Sequence, residues 1–224
     1  MTLITCIVPA HNEAPRIAAV LQVLTRHPLI AEVIVVDDGS RDGTAEVAAA
    51  FPVTLLRLSP NRGKTAALAE GLRAARHDLV MLIDSDLTGL SAADITALVM
   101  PLRQGRAQAT LSLRGNAPRL WRWIGLDYIS GERVFSRALL NGREGDLLRL
   151  PKFGFEVFLN TLWIAQGLRV AVVDWPGVAS PAKAAKRGLW PGLAADAAML
   201  ADMFRTIRPT AALSQIVTLR RRRV

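Results

Sequence analysis

Val33-Ile34-Val35-Val36-Asp37-Asp38-Gly39-Ser40, residues 33–40, is a short apolar run that stops at two carboxylates, a glycine and a serine. Unbroken apolarity over so few residues is the pattern of a strand buried on both faces, and Asp-Gly-Ser is a turn and helix-start signal. The same pattern recurs on either side. Upstream, Leu3–Val8 runs into Pro9-Ala10-His11-Asn12-Glu13, after which Ile17, Val20, Leu21 and Leu24 fall at helical spacing. Downstream, a helix over Thr44–Ala50 precedes the strand Val53–Leu58, then Asn61-Arg62-Gly63-Lys64 and a helix over Thr65–Ala75. A fourth strand, Leu79–Ile83, ends at Asp84-Ser85-Asp86. Apolar strands alternating with amphipathic helices predict a parallel sheet covered on both faces, so residues 1–115 read as a doubly wound α/β half.

After Asn116 the sequence becomes rich in Trp and Arg. A helix is expected at Phe155–Gln166 and a strand at Arg169–Val173. Ala179–Gly192 carries Lys183, Lys186 and Arg187 without one acidic residue and reads as a loop that an anion would order. A last helix is expected at Leu193–Ile207, and Arg220–Arg223 reads as a basic tail. The chain thus divides softly into 1–115, 116–190 and 191–224, with no internal repeat.

With 224 residues, 51% of them apolar, the chain is long enough for a substantial core, which excludes a disordered protein. The net charge of +9 is uneven: residues 1–112 carry 10 basic and 11 acidic side chains, residues 113–224 carry 18 and 8. The later half therefore suits an anionic partner, whether phosphate, nucleic acid or an acidic membrane face. The single cysteine, Cys6, excludes an internal disulfide and a cysteine zinc site and fits a reducing, cytoplasmic setting. Pro9, His11, Asn12 and Glu13 interrupt the first apolar run too early for a signal peptide, and no window reaches the ~20 apolar residues that span a bilayer. A soluble protein, or one peripheral to a membrane, is expected.

Ligands of open α/β sheets sit outside the carboxyl ends of the strands, and all four strand ends carry polar groups. Taken singly, each is an ordinary turn, and Asp42 or Thr44 are ordinary helix caps. Together they mark a site. Asp84-Ser85-Asp86 is its sharpest element, because two carboxylates one residue apart at a strand end suit a hard divalent cation. An EF-hand is excluded by Ile95 at the position that needs a bidentate Glu, and a Walker A loop by Leu58 where its first glycine should stand.

On these residues the sequence resembles the family 2 glycosyltransferases of the GT-A fold. The matches are Val8-Pro9-Ala10-His11-Asn12-Glu13, Val35–Ser40, Asn61-Arg62-Gly63-Lys64 and Leu82-Ile83-Asp84-Ser85-Asp86, in the family's order. Ile129-Ser130-Gly131-Glu132-Arg133 and Phe153-Gly154-Phe155-Glu156 look like later motifs of glucosyl-3-phosphoglycerate synthases and of polyprenyl-phosphate sugar transferases. The resemblance covers about residues 3–175. It implies a single-domain, GT-A-type, mostly parallel sheet with helices on both faces and a basic helical extension at the C-terminus, in which 1–115 binds the sugar nucleotide and 116–190 the acceptor.

The resemblance also implies roles. Pro9, Ala10, Glu13, Asp38, Gly63, Lys64, Asp84 and Ser85 would bind a UDP- or GDP-sugar, with Glu13 accepting from ribose hydroxyls and Asp38 from the base edge. Asp86, with Asp84, would hold Mg²⁺ or Mn²⁺ against the diphosphate. The late histidine that serves some relatives as a further metal ligand is missing, so Ser180 or water would take that place. If the acceptor is a hydroxyl, Glu156 is the first choice of base, with Asp127 and Glu132 behind it. If it is a phosphate, polyprenyl or small, no base is needed, and Gly131, Arg133, Arg149, Lys183 and Arg187 would bind it. Glu156 could instead simply pair with one of these arginines. The implied reaction is a single sugar transfer at the inner face of the membrane or in the cytoplasm, with no nucleic acid partner; a homodimer is allowed.

Two other readings compete. Asp84-Ser85-Asp86-Leu87-Thr88 resembles the haloacid dehalogenase nucleophile motif, with Asp84 forming an aspartyl-phosphate and Lys152 as its lysine, although no acidic pair follows. A non-enzymatic reading takes Arg220–Arg223 with Trp121, Trp123 and Trp190 as a nucleic-acid or membrane surface. Against it, tryptophans are ordinary core residues and a terminal arginine run is ordinarily solvated.

Overall fold

The computed structural model describes residues 3–147, 150, 154–180 and 207–224. Its strands are β1 (Ile4–Ala10), β2 (Ile30–Asp38), β3 (Thr54–Leu58), β4 (Leu79–Leu82), β5 (Ala109–Arg114), β6 (Arg133–Ser136) and β7 (Val170–Trp175). They form one seven-stranded sheet in the order β3-β2-β1-β4-β6-β5-β7. The first four strands are parallel and β7 is parallel to β5, whereas β6 runs antiparallel to both its neighbours. Every residue of β1 is buried, with Cys6 and Val8 packed on one face and Ile7 on the other, which is why its sequence shows no polar alternation.

The helices are α1 (Ala14–Leu24), α2 (Thr44–Ala49), α3 (Lys64–Ala74), α4 (Ala92–Arg103), α5 (Arg119–Ile124), α6 (Glu144–Leu147), α7 (Gly154–Ala165) and α8 (Pro209–Arg221). α1, α2 and α4 cover one face through Ile17, Leu21, Leu24, Ala48, Ile95 and Leu98. α3, α5, α7 and α8 cover the other through Leu68, Leu72, Trp121, Phe155, Trp163, Ala212 and Leu219. α3 lies so close to β1 that a Cβ at Gly71 would collide with the Ile7 side chain. α4 opens on a capping box in which Ser91 Oγ accepts from the Asp94 N–H and the Asp94 carboxylate accepts from the Ser91 N–H. The core on the α3 face draws on residues from both sides of position 115.

The C-terminus departs from expectation. Instead of a solvated tail, Pro209 starts α8, which buries Ala212 and Leu219, and the last residues close the β7 edge. The Val170 N–H donates to Arg222 O and the Val224 N–H donates to Val170 O. Arg222 Nη1 donates to Ile164 O at 2.9 Å and Arg223 Nη1 to Gly125 O at 2.8 Å. Backbone carbonyls at helix ends attract guanidinium groups, so these arginines fasten the chain end to the domain. All but the last residue of the expected helix Leu193–Ile207 lies outside the described residues. Among them, no helix is long and apolar enough to cross a membrane.

Candidate active site

The sheet order turns around between β1 and β4: the chain leaves β1 for β2 on one side and later returns to β4 on the other. A crevice opens at such a point, at the carboxyl ends of the strands. β1 delivers Pro9 and Ala10 there, β2 Asp37 and Asp38, the turn after β3 Asn61–Lys64, and the turn after β4 Asp84–Asp86. Because β6 is antiparallel and pairs Arg133 with Leu82, its start brings Gly131 and Glu132 to the same edge, as the ends of β5 and β7 bring Arg114 and Ser180.

Three loops form one wall. Asp38 accepts the backbone N–H of Arg62 on one carboxylate oxygen and that of Gly63 on the other, both at 2.7 Å, and is 3% exposed. Its carbonyl accepts from Asn61 Nδ2 at 2.9 Å and lies 2.8 Å from His11 Nδ1. Asn12 takes a positive φ of 57°, which lets its N–H reach Ser40 Oγ and its Oδ1 accept from the Arg41 N–H. Thr44 Oγ1 accepts the Glu13 N–H, and Asp42 caps Thr44 while also accepting from the Ala14 N–H. Asp38 therefore orders the turn that starts α3. Each carboxylate oxygen accepts one backbone N–H and keeps a second lone-pair site for a base-edge donor. The Glu13 carboxylate pairs with Arg16 at 2.6 Å.

Across the crevice, Lys64 Nζ lies 2.8 Å from Asp84 Oδ1 and 3.3 Å from Glu156 Oε1. Burial works against the Lys64 charge, but the two carboxylates outweigh it and hold its pKa above the ordinary lysine value. Asp84 shows the converse: burial alone would raise it, yet Lys64 and Arg114 keep it below the usual carboxylate range. Asp84 also rests against Gly131, where a Cβ would stand 2.7 Å from each carboxylate oxygen. Glu156, 4% exposed, pairs with Lys64 among the described residues.

Asp86 faces the opposite balance. Burial, then the charges of Asp84 and Glu13, push its pKa up, so a cation beside it would relieve a crowd of carboxylates. Ser180 Oγ donates to Asp86 Oδ1 at 3.5 Å. Asp84, Asp86 and the Ser180 hydroxyl offer the hard oxygen donors that Mg²⁺ or Mn²⁺ prefers. The described histidines are occupied elsewhere: His11 with Asp38, His27 with Ala92 and Thr96, His77 with Thr5.

Behind Ser180 lies a buried charged layer. Arg114 Nη1 donates to Ser180 Oγ, and its guanidinium sits 3.5 Å from Glu132 Oε1 and 3.7 Å from Asp127 Oδ2. Glu132 is fully buried, and its other oxygen accepts from the hydroxyls of Ser112 and Ser130. Burial raises the pKa of both acids, that of Asp127 to about 6. Asp127, 1% exposed, stands behind Arg114 and is closed off from solvent, which counts against its reading as a base.

Arg133 is likewise corrected. It is fully buried, donates from Nε to Ser130 O, from Nη2 to Tyr128 O and from Nη1 to Asn160 Oδ1, and lies over the Trp163 ring. With its donors satisfied inside the core, it fixes the turn that holds Gly131 and does not reach an acceptor phosphate. Ser85 is buried beside the two aspartates. Arg149, Lys183 and Arg187, and the dehalogenase-type Lys152, lie outside the described residues. Arg114 was missed; the alternating Ala109–Arg114 segment closed by Gly115 and Asn116 was the available signal.

Comparison with known proteins places this site in a family. Residues 5–162 match the sequence model described as "Glycosyl transferase family 2". Among curated relatives, the succinoglycan biosynthesis protein ExoO of Rhizobium meliloti is 31% identical over 162 residues, covering 70% of this chain and 42% of that protein. A dolichyl-phosphate beta-glucosyltransferase of Trichomonas vaginalis is 33% identical over 96 residues, covering 37% and 28%. The chain thus spans less than half the length of these relatives. Among solved structures, glucosyl-3-phosphoglycerate synthase of Mycobacterium tuberculosis in complex with Mn²⁺, UDP and glucosyl-3-phosphoglycerate aligns with a TM-score of 0.70 at 26% identity, over 92% of this chain and 80% of that one. The same sheet and helices are therefore those of the GT-A fold, and the match removes the ground for a dehalogenase-type reading of Asp84.

Proposed function

We propose, from the premise that this chain belongs to glycosyl transferase family 2, that it moves one sugar from a nucleoside-diphosphate sugar, UDP- or GDP-linked, to a phosphorylated acceptor. The observation that carries the reading is the meeting of Lys64, Asp84, Asp86 and Glu156 at the point where the strand order turns around. Lys64 is held by two carboxylates from separate elements, ready to exchange one of them for a diphosphate oxygen. Pro9, Ala10 and Glu13 at the end of β1 line the nucleoside side, and the Asp38-ordered turn fixes Gly63 and Lys64 against it. A divalent cation held by Asp86 and Asp84, beside the Ser180 hydroxyl, would neutralise charge that develops on the leaving diphosphate. The synthase of similar structure was solved with Mn²⁺ and UDP, in keeping with that donor set.

On the acceptor side, Glu156 is the carboxylate best placed to take a proton from a hydroxyl nucleophile. Displacing Lys64 toward the diphosphate would free it, which ties the base to donor binding. A phosphate acceptor would need no base, and Glu156 would then serve to hold Lys64.

The reading is tested by the melting temperature of the protein against UDP and GDP, each with and without Mn²⁺, for the native chain and Asp86→Asn. Binding to the folded state raises the melting temperature by mass action, about 3 kcal/mol at a hundredfold excess over Kd. A rise with one nucleotide that needs both the metal and Asp86 supports the donor site and identifies its base. No rise with either nucleotide would overturn it.

A further inference from the structure

Large apolar side chains exposed among the described residues are few, and most of them lie on two segments. Trp123 is 82% exposed and Leu120 44% on α5, Leu213 62% and Val217 42% on α8, with Val224 just beyond it. Along α8, Ala212 and Leu219 face the core, while Leu213, Val217, Arg220 and Arg221 recur at the i, i+4, i+7 and i+8 positions of the opposite stripe. The segments 115–126 and 207–224 contain no acidic residue, and they carry Arg119, Arg122, Arg208 and Arg220–Arg223. They are also joined: Arg223 donates to Gly125 O at the end of α5, and Tyr128 Oη donates to Gln215 Oε1 of α8 at 2.6 Å.

We propose that α5 and the outward stripe of α8 form one docking surface for an anionic lipid bilayer. An indole and leucines ringed by arginines, on two segments that carry no acidic residue, match the boundary between acyl chains and acidic headgroups. A nucleic acid would engage the arginines but leave Leu120, Leu213 and Val217 without partners, which favours the bilayer. The surface also lies beside the crevice. α5 follows directly from β5, Arg122 Nη1 donates to Gly115 O, and Asn116 Nδ2 donates to Ser180 O next to Asp86. A protein lying on the membrane through α5 would therefore present its acceptor side to phosphate groups at the lipid surface. The docking itself makes no use of Asp84, Asp86 or Lys64 and stands apart from the donor reading.

The full chain is sedimented with vesicles of phosphatidylcholine alone and of phosphatidylcholine with phosphatidylglycerol. The native protein is expected to sediment with the second and not the first. Arg119→Ser with Arg122→Ser is expected to weaken binding at least about tenfold, at about 1 kcal/mol per arginine near an acidic surface. Leu120→Ser with Trp123→Ser, and separately Leu213→Ser with Val217→Ser, should each weaken it as well. All these residues are on the surface, and an unchanged UDP or GDP melting shift in each variant shows the donor site intact. Failure to sediment with phosphatidylglycerol vesicles, or sedimentation unchanged in all three variants, would overturn the proposal. Binding to single-stranded RNA tighter than to the vesicles, and indifferent to the apolar substitutions, would assign the surface to nucleic acid instead.

Discussion

Lys64 and Asp84 meet as an ion pair, Nζ to Oδ1 at 2.8 Å, although the lysine opens α3 and the aspartate follows β4. The passage from α3 into β4 brings them together at the carboxyl edge, where the same ammonium stands 3.3 Å from Glu156 of α7. One cation thus ties the loop after β4 to the start of α7.

Replacing Lys64 by Met should separate these roles. Asp84 and Glu156 would face each other without a cation, and a diphosphate would lose a charge-assisted bond of about 1.5–3 kcal/mol, so donor affinity should fall roughly tenfold to a hundredfold. The nucleotide-induced melting shift reads this directly. An undiminished shift in Lys64→Met would show that the lysine is no donor ligand.

Gly131 tests whether the position of Asp84 matters. A Cβ there would stand 2.7 Å from both carboxylate oxygens, closer than atoms approach, so Gly131→Ala must push the carboxylate off its Lys64 contact. The fold has little reason to change, because the group that must give way is the end of the Asp84 side chain. A displacement of a few tenths of an ångström to one ångström in a reacting site costs up to about a hundredfold in rate. Transfer by Gly131→Ala at the native rate, with a native melting temperature, would sink the idea that this glycine seats Asp84.

Asp84, Asp86, Lys64 and Glu156 could all be picked out from the sequence, and the reason is physical. Parallel strands buried on both faces read as unbroken apolar runs, so the polar residues at their ends stand out, and the ends are where such sheets bind ligands. The later half lacks that contrast. Thr110 and Ser112 of β5 are fully buried, with hydroxyls donating to Leu98 O and to Glu132. β6 begins with a buried arginine. Such polar residues make a core strand look like a surface one, and their partners Leu98, Glu132 and Asn160 lie 12 to 27 positions away along the chain, beyond what spacing can reveal. Arg222 and Arg223 misled for the same reason, since the carbonyls they bind belong to the ends of distant helices.

Arg133 should therefore behave as a structural residue. Arg133→Met leaves Ser130 O and Asn160 Oδ1 without their buried donor and Tyr128 O with Asn160 Nδ2 alone, at a cost of about 3–5 kcal/mol. A chain of this size should then melt on the order of 10 °C lower. Lys at the same place has no fork to reach three acceptors and should rescue little. An unchanged melting temperature with a selective rise in acceptor KM would instead return Arg133 to the acceptor site.

The pH dependence of stability isolates Asp127. Its pKa in the folded protein is raised to about 6, chiefly by burial, against about 3.9 in an unfolded chain. Below pH ~4 both states carry the proton and the group contributes nothing. Between about 4 and 6 the unfolded chain gives up its proton first, so ionisation favours unfolding, and above about 6 the penalty levels at roughly 2–3 kcal/mol. Asn keeps the shape without the charge, and Arg114 retains Glu132 at 3.5 Å as its partner. Asp127→Asn should therefore melt above the native protein at pH 8, with the advantage shrinking to nothing near pH 4. A gap of constant size across that range, or a less stable variant at pH 8, would mean that Arg114 holds Asp127 ionised at its ordinary pKa and that the ion pair, not burial, governs this layer.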